Sequence, residues 1–427
     1  MPTVVIVTEE FEPLARRERE ILGVPQLPLA VIPGLASIGY LASDAVRALV
    51  TPALMSQVVE GLRQGGVAGR APAAALSEVA DEAADELSLA DLDEVEDFFY
   101  GRRWTDGLPI VAPTLERVAR MIAAGGLPAD ELIAVLMPRR GRATVQKLAV
   151  NAVMAGCRPE YFPVILAATR AIAAPEYNLY GIQATTNAAS LTLVLNGPVR
   201  HQLDVNSGYN ALGQGWRANA TIGRAMRLVM VNVGGGTPGG MDRASLGHPG
   251  KYGFCFGERE EESPWEPLHV ARGFARGESV ATVFGTSGPH SVVSPGSTTG
   301  AMVLTTLAGA MTAIGNNCIY GNGEAVLVVS PEHARKLAAE GWSRRDVQQR
   351  LWERARLRTS ALEPSNVEAA YQWRPWLSEW PDPTTIPMTR TPDDIVLIVA
   401  GGALGHSAFL PSFFTVRSVS KRIEPPV

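Results

Sequence analysis

A histidine and a lysine stand three residues apart in the turn Gly247-His-Pro-Gly-Lys251, and this pair could carry out acid–base chemistry. The unperturbed pKa of a histidine lies near 6.5, so His248 can exchange a proton close to neutral pH. Lys251 could stabilise a developing anion, as positioned cations do in catalysis. Glycine and proline together predict a rigid turn. We therefore expect His248 and Lys251 to be catalytic, and the alternative is an exposed turn histidine without a role.

Cys157 is the third candidate catalytic residue. It follows an Ala- and Val-rich helix predicted over residues 144–155, and it precedes Arg158. A thiol beside an arginine can be acidified and become nucleophilic. The alternative is a buried structural thiol, because cysteine packs as a small apolar residue and a helix C-terminus disfavours a thiolate. We expect Cys157 and the 247–251 turn to converge on one pocket.

An anion-binding pocket is predicted at Arg217, Asn219 and Arg224. They fall in the first turns of a helix that follows a Gly-rich turn. Free backbone N–H groups at a helix N-terminus, together with the paired N–H groups of arginine, favour binding of a carboxylate or phosphate. The segment Gly213-Gln-Gly-Trp-Arg-Ala218 also matches a relaxed dinucleotide fingerprint. No strand precedes it, which that motif requires, so a dinucleotide cofactor is not expected.

Three further residues are predicted to contact a substrate. Asn196 ends an apolar strand that starts near Leu193, and Trp265 and Glu266 are bracketed by prolines. Sites in α/β sheets lie beyond the carboxyl ends of the strands, which favours Asn196. The whole stretch Gly197–Pro267 mixes glycines with polar and aromatic residues, a composition typical of the wall of a small-molecule site. A long surface loop without function is the alternative.

Composition excludes several classes of protein. The chain has 427 residues, a net charge of −5 and no basic patch, so we expect no nucleic-acid partner. The weakly polar stretch Ala301–Gly315 is too short to cross a membrane. Glutamates at positions 9 and 10 precede any long apolar run, so no signal peptide is predicted, and three separated cysteines suit a reducing, cytoplasmic setting. Six histidines show no metal-ligand spacing, so no metal is expected, and the cofactor stays unspecified.

The pattern of apolar runs predicts an α/β fold with two domains. Residues 1–63 form a partial βαβ half-domain, with strands at 3–8 and 27–32 and a helix between them. Thr51 is predicted to cap a further helix, whose first residue is Pro52. A Gly- and Ala-rich linker occupies residues 64–90, and a larger α/β domain with Gly-rich site loops spans 91–427.

Three segments of the larger domain repeat one pattern, in which an apolar strand is followed by a proline and a helix. They begin at Leu108, Leu193 and Leu327, and Ser330 is the predicted N-cap of the third helix. A fourth strand is predicted from Ile395. Repeated strand–helix units imply an α/β sheet whose site would lie at the ends of its strands.

Several segments of the chain resemble one bacterial family. They are Val7-Thr-Glu-Glu-Phe-Glu-Pro-Leu-Ala15, Leu22-Gly-Val-Pro-Gln-Leu-Pro28, Thr105-Asp-Gly-Leu-Pro109, Leu148-Ala-Val-Asn-Ala-Val-Met-Ala-Gly-Cys-Arg-Pro-Glu-Tyr161, Arg217-Ala-Asn-Ala-Thr-Ile-Gly-Arg224 and Ser263-Pro-Trp-Glu-Pro267. The first two resemble the C-terminal half of the UGSC-motif protein domain, and the others resemble long proteins that carry it. The family is named for a loop in which selenocysteine or cysteine precedes Gly-Ser-Cys, and the resemblance implies thiol- or selenol-based redox chemistry.

The defining loop is missing, because Cys-Gly-Ser-Cys occurs nowhere in this sequence. In the family the loop lies N-terminal to the segment that begins here at Met1. We therefore expect either a start further upstream or a separate small subunit that supplies the loop. An edge strand at residues 3–8 would accept such a partner, and we expect an oligomer.

These observations together predict a subunit of an intracellular, thiol-dependent redox or bond-cleaving enzyme that acts on a small polar or anionic metabolite. A non-redox lyase or hydrolase that uses His248, Lys251 and the arginines is the first alternative. A non-catalytic binding or scaffold subunit is the second.

Overall fold

The chain forms two compact units, which the computed structural model describes over residues 3–21, 24–34, 43–64, 91–414 and 416–424. The first unit consists of Met1–Ser88 with Glu363–Gln372, and the second of Leu89–Leu362 with Trp373–Val427. Apart from residue 64, the linker predicted at 64–90 lies outside the described residues.

The first unit contains the predicted βαβ arrangement. Strands β1 (Val5–Thr8) and β2 (Leu29–Ile32) pair in parallel, and helix α1 (Glu12–Ile21) connects them. Helices α2 (Ser43–Ala48) and α3 (Pro52–Gln64) follow. The hydroxyl of Thr51 accepts a hydrogen bond from the backbone N–H of Leu54 at 3.2 Å, which confirms the predicted N-cap of α3. A small apolar core is built from Ala30, Ile32 and Leu54.

Helices and strands alternate irregularly in the rest of the chain. The helices are α4 (Leu92–Gly101), α5 (Leu115–Gly125), α6 (Val145–Met154), α7 (Phe162–Ile172), α8 (Leu179–Gln183), α9 (Val199–Gln202), α10 (Arg217–Asn232), α11 (Leu268–Ala271), α12 (Gly300–Met311), α13 (Pro331–Ala339), α14 (Arg344–Arg354) and α15 (Pro364–Trp373). The strands are β3 (Leu132–Leu136), β4 (Gly141–Thr144), β5 (Ser190–Asn196), β6 (Cys255–Gly257), β7 (Val280–Thr286), β8 (His290–Val293), β9 (Ala325–Val329), β10 (Arg356–Arg358), β11 (Thr385–Pro387), β12 (Ile395–Val399), β13 (His406–Pro411) and β14 (Val419–Arg422).

Two mixed four-stranded sheets form the centre of the second unit, in the strand orders β14-β7-β5-β6 and β12-β9-β13-β8. They pack face to face, because Val194, Phe256 and Phe284 of one sheet share a core with Val326 and Ile398 of the other. The outer faces are covered by helices, with α7 and α10 on the first sheet and α12 and α14 on the second. The unit is therefore a four-layer α/β/β/α arrangement.

Strand β5 shows how the sequence produces these layers. Leu191, Leu193 and Leu195 pack into the core beneath α6, α7 and α10, whereas Val194 points into the core between the sheets. Successive side chains of a strand point to opposite faces. An apolar run without alternation is therefore what a strand buried on both faces needs.

The repeated strand–proline–helix pattern holds for only part of the chain. Ser330 caps α13 by accepting a hydrogen bond from the backbone N–H of His333, and Pro331 is the first helical residue, as predicted. Strand β12 also lies where it was predicted. The strand predicted from Leu108 is not formed, and Thr114 caps α5 instead. Two prolines within that segment remove the amides that a strand ladder needs.

Candidate functional site

Four cationic or titratable side chains meet around a turn that lies C-terminal to α10 in the chain. Gly247 has a φ of 70°, and Pro249 opens a 3₁₀ turn over Pro249–Lys251. The Nδ1 atom of His248 accepts a hydrogen bond from the backbone N–H of Gly250 at 3.1 Å, so the imidazole caps its own turn. The predicted rigid turn is therefore present, and it sets both His248 and Lys251 in fixed positions.

Lys251 is paired with the carboxylate of Asp242, which is not one of the predicted site residues. Its Nζ atom lies 2.7 Å from Oδ2 and 3.0 Å from Oδ1 of Asp242. Both side chains are largely buried, with exposed fractions of 16% for Lys251 and 7% for Asp242. Burial lowers the pKa of Lys251, while Asp242 acts to raise it. Asp242 therefore stabilises the protonated form of Lys251 in a largely buried environment. The electric field of the ammonium group acts more strongly there than in water.

The surroundings of His248 favour the neutral imidazole. Burial lowers its pKa and the positive charges of Lys251 and Arg227 lower it further, whereas a hydrogen bond to the backbone of Ala188 acts in the opposite direction. Because Nδ1 accepts from Gly250, the proton of the neutral ring sits on Nε2. That N–H faces the hydroxyl of Ser190 at 3.3 Å, and Ser190 in turn donates to the carbonyl of Thr286. His248 can donate from Nε2, and it can take a proton at Nδ1 when the Gly250 contact opens.

Arg227 completes the cluster, and the sequence analysis missed it. It lies on α10, is 9% exposed, and donates from Nε to the carbonyl of Lys251 at 2.6 Å. Its environment includes Asp242 and Tyr177, both of which raise its burial-lowered pKa. The signal in the sequence was an arginine between Met226 and Leu228, within a run of buried apolar residues of α10. We call Arg227, Asp242, His248 and Lys251 the His248 cluster.

Cys157 lies elsewhere. Burial raises the pKa of its thiol to about 12, although the Thr221 hydroxyl and the charge of Arg224 act in the opposite direction. The thiol therefore keeps its proton at neutral pH. Cys157 and His248 share no hydrogen-bond partner and no charged neighbour among the described residues. The contacts thus give no support to the predicted convergence of the two on one pocket.

The thiols of the other two cysteines also keep their protons at neutral pH. All three cysteines are free thiols. Burial raises the pKa of Cys255 and raises that of Cys318 to about 12. A thiol that stays protonated is a weak nucleophile.

The predicted anion pocket at the start of α10 is not assembled. The Nε and Nη2 atoms of Arg224 each donate to Asp106 at 2.8 Å, so its fork already holds an internal carboxylate. Asn219 is buried on the other side of the helix, where it exchanges two hydrogen bonds with the backbone of Asn206. Arg217 is exposed at the first helical position. Asn219 therefore fixes the loop around Asn206, and Asp106 binds the Arg224 guanidinium that was predicted to bind a substrate.

Asn196, Trp265 and Glu266 lie around a buried ionic network at the ends of the two sheets. Asn196 donates from Nδ2 to Glu258 at 2.7 Å and to Glu260 at 3.0 Å. Glu258 is fully buried and lies 3.5 Å from Nη2 of Arg344.

The two predicted contact residues from the proline-bracketed segment pack against this network from outside. The indole N–H of Trp265 donates to the carbonyl of Trp342 at 3.1 Å, and Glu266 is exposed. Asn196 and Trp265 are therefore buried, and each donates its side-chain N–H to another part of the protein, whereas Oδ1 of Asn196 has no hydrogen-bond partner among the described residues.

The best-formed surface clefts do not contain the His248 cluster. One lies beside α4 and is lined by residues such as Tyr100 and Pro109, and the other lies near α7, α9 and β14. The second cleft contains the ion pair between Arg422 and Glu278, but neither cleft is lined by a histidine, a cysteine or a lysine, so we base the site on the cluster. Within the described residues, no group of three or more His, Cys, Asp or Glu side chains is placed to hold a metal ion. None of the described helices is long and apolar enough to cross a membrane.

Comparisons of the chain with protein-family models, with curated proteins and with solved structures give no match. The resemblance to UGSC-motif proteins therefore stays a prediction.

Proposed function

We propose that the His248 cluster is the acid–base site of a bond-cleaving enzyme, of the lyase or hydrolase type, that acts on a small polar anion. One observation carries this proposal. The imidazole of His248, the ammonium of Lys251 and the guanidinium of Arg227 lie within one another's electrostatic influence, and the carboxylate of Asp242 acts on the two cations. His248 would move the proton, and Lys251 would stabilise the charge that develops on the substrate.

The state of the cysteines is why we place acid–base chemistry ahead of thiol chemistry. The raised pKa values of their thiols argue against a reactive thiol in this chain. Thiol chemistry would have to come from another polypeptide. Strand β1 pairs with β2 in a two-stranded sheet, and such a sheet has edges that a further strand could join.

We retain the small subunit with a Cys-Gly-Ser-Cys loop as a proposal on that basis. Co-purification from the native source tests it. An active preparation of this chain without a small partner would count against it.

The acid–base proposal is tested by following small carboxylates in D₂O by proton NMR. The wild-type protein is expected to cleave a substrate or to exchange a carbon-bound proton. His248→Gln keeps a polar side chain but cannot titrate, and its rate should fall by about 10²- to 10⁴-fold, the usual contribution of a general acid–base group.

His201→Gln is the matched control, since this histidine is 70% exposed and contacts Glu261. Its rate should equal that of the wild type. Full activity of His248→Gln, together with loss of activity in Cys157→Ser, would overturn the acid–base proposal in favour of thiol chemistry.

A further inference from the structure

Arg227 has an incomplete set of hydrogen bonds. Its Nε atom donates to the carbonyl of Lys251, but within the described part of the chain Nη1 and Nη2 have no partner. Both Nη atoms keep some exposure to solvent, since neither belongs to the fully buried side-chain nitrogens that lack a hydrogen-bond partner. Arg224, one turn earlier on α10, shows the contrast, because its guanidinium is closed by Asp106.

The charges around Arg227 do not balance. Arg227 and Lys251 carry two positive charges, and Asp242 carries one negative charge. Asp242 forms an ion pair with Lys251 at 2.7 Å, and within the described residues it forms no ion pair with Arg227 at 4.0 Å or less. His248 is neutral and offers no compensation. A positive charge that is 91% removed from solvent and forms no direct ion pair of its own is costly, so the cluster favours an added anion.

We propose that the Nη1–Nη2 edge of Arg227 binds the carboxylate of the small-molecule substrate. This inference rests on the proposed function, since it takes the His248 cluster as the substrate site. The Nη edge of a guanidinium matches the two oxygens of a carboxylate. One bound carboxylate would also neutralise the single excess charge.

A phosphate fits the cluster less well than a carboxylate. Phosphate sites usually add several free backbone N–H groups to the arginine. Here the N–H of Gly250 already donates to His248, and that of Ala244 already donates to Asp242. A phosphate dianion would also place both of its negative charges on one group beside Asp242, which exceeds the single excess positive charge of the cluster.

Binding can be measured without turnover by isothermal titration with succinate, acetate and inorganic phosphate. For the wild type we expect saturable binding of a carboxylate, with phosphate weaker. Arg227→Gln should abolish the binding, and Arg227→Lys should weaken it by at least about tenfold, because an ammonium cannot form the paired contact. Arg224→Lys is the matched control on the same helix and should bind as the wild type does.

Chemical modification covers the case in which the Arg227 variants do not fold. Phenylglyoxal should modify Arg227 in the wild-type protein, and succinate should protect it, whereas the reactivity of Arg224 should not depend on succinate. Carboxylate binding that survives in Arg227→Gln, phosphate that binds more tightly than every carboxylate, or an Arg227 that succinate does not protect would each overturn the inference. Because no turnover is measured, a wild-type rate in His248→Gln would remove the acid–base proposal and leave this one standing.

Discussion

Replacing Asp242 by asparagine should destabilise the second unit in a way that depends on pH. Asparagine has nearly the same shape and can still accept the hydrogen bond that the N–H of Ala244 donates to Asp242 at 3.1 Å. What is lost is the negative charge 2.7 Å from the ammonium of Lys251. Removing one partner of a buried ion pair typically costs about 3–5 kcal/mol.

That cost has an upper limit, because Lys251 can lose its proton and so remove the unpaired buried charge. Releasing a proton from a lysine with an ordinary pKa of 10.5 costs about 1.4 kcal/mol for each pH unit below that value. The limit is therefore about 4 kcal/mol at pH 7.5 and about 1.4 kcal/mol at pH 9.5. In the variant the folded-state pKa of Lys251 lies below its unfolded value, so the penalty is complete at low pH and disappears as the pH rises towards 10.5.

Asp106→Asn provides the control. Its partner Arg224 is also largely buried, but a guanidinium cannot release its proton in this range. The free energy lost in Asp106→Asn should therefore not change between pH 7.5 and pH 9.5.

Tryptophan fluorescence during urea unfolding is a suitable measurement, because all eight tryptophans lie in the second unit. The difference in unfolding free energy between wild type and Asp242→Asn should shrink by about 2 kcal/mol or more over this range. Parallel curves for the two variants, or wild-type stability of Asp242→Asn at pH 7.5, would refute the reasoning.

Three other changes test the rest of the structure. Cys157 should react with a maleimide far more slowly in the native protein at pH 7.5 than in urea, since burial raises its pKa to about 12; equal rates would contradict this. Glu258→Gln should lower the unfolding free energy by about 3–5 kcal/mol, because it leaves a buried arginine without its carboxylate; an unchanged urea midpoint would show that the network contributes nothing. Gly141→Ala should destabilise the folded protein, because the added methyl group would collide with the carbonyl of Val233. Gly309→Ala, in an open part of α12, should instead stabilise it by about 0.4–1 kcal/mol. Thermal melting compares the two variants, and equal shifts in melting temperature would disprove the packing argument.

Local sequence determined much of the secondary structure. The helix caps Thr51 and Ser330, the strand at Ile395 and the βαβ arrangement at the start were all predicted, because each depends on residues within one turn or one strand. The rigid turn that holds His248 and Lys251 was predictable for the same reason, since Gly247 and Pro249 dictate its backbone.

Tertiary structure alone decided which polar side chains are free. Arg224 and Arg227 are the same residue type on one helix, yet Arg224 meets Asp106 from a segment 118 residues away, while the fork of Arg227 stays open. Asn196 likewise points to a carboxylate 62 residues later in the chain. Sequence shows which groups can donate or accept hydrogen bonds, but pairing depends on contacts between distant segments. The pKa values of His248 and Cys157 also depend on the tertiary structure, because burial and nearby charged side chains determine them.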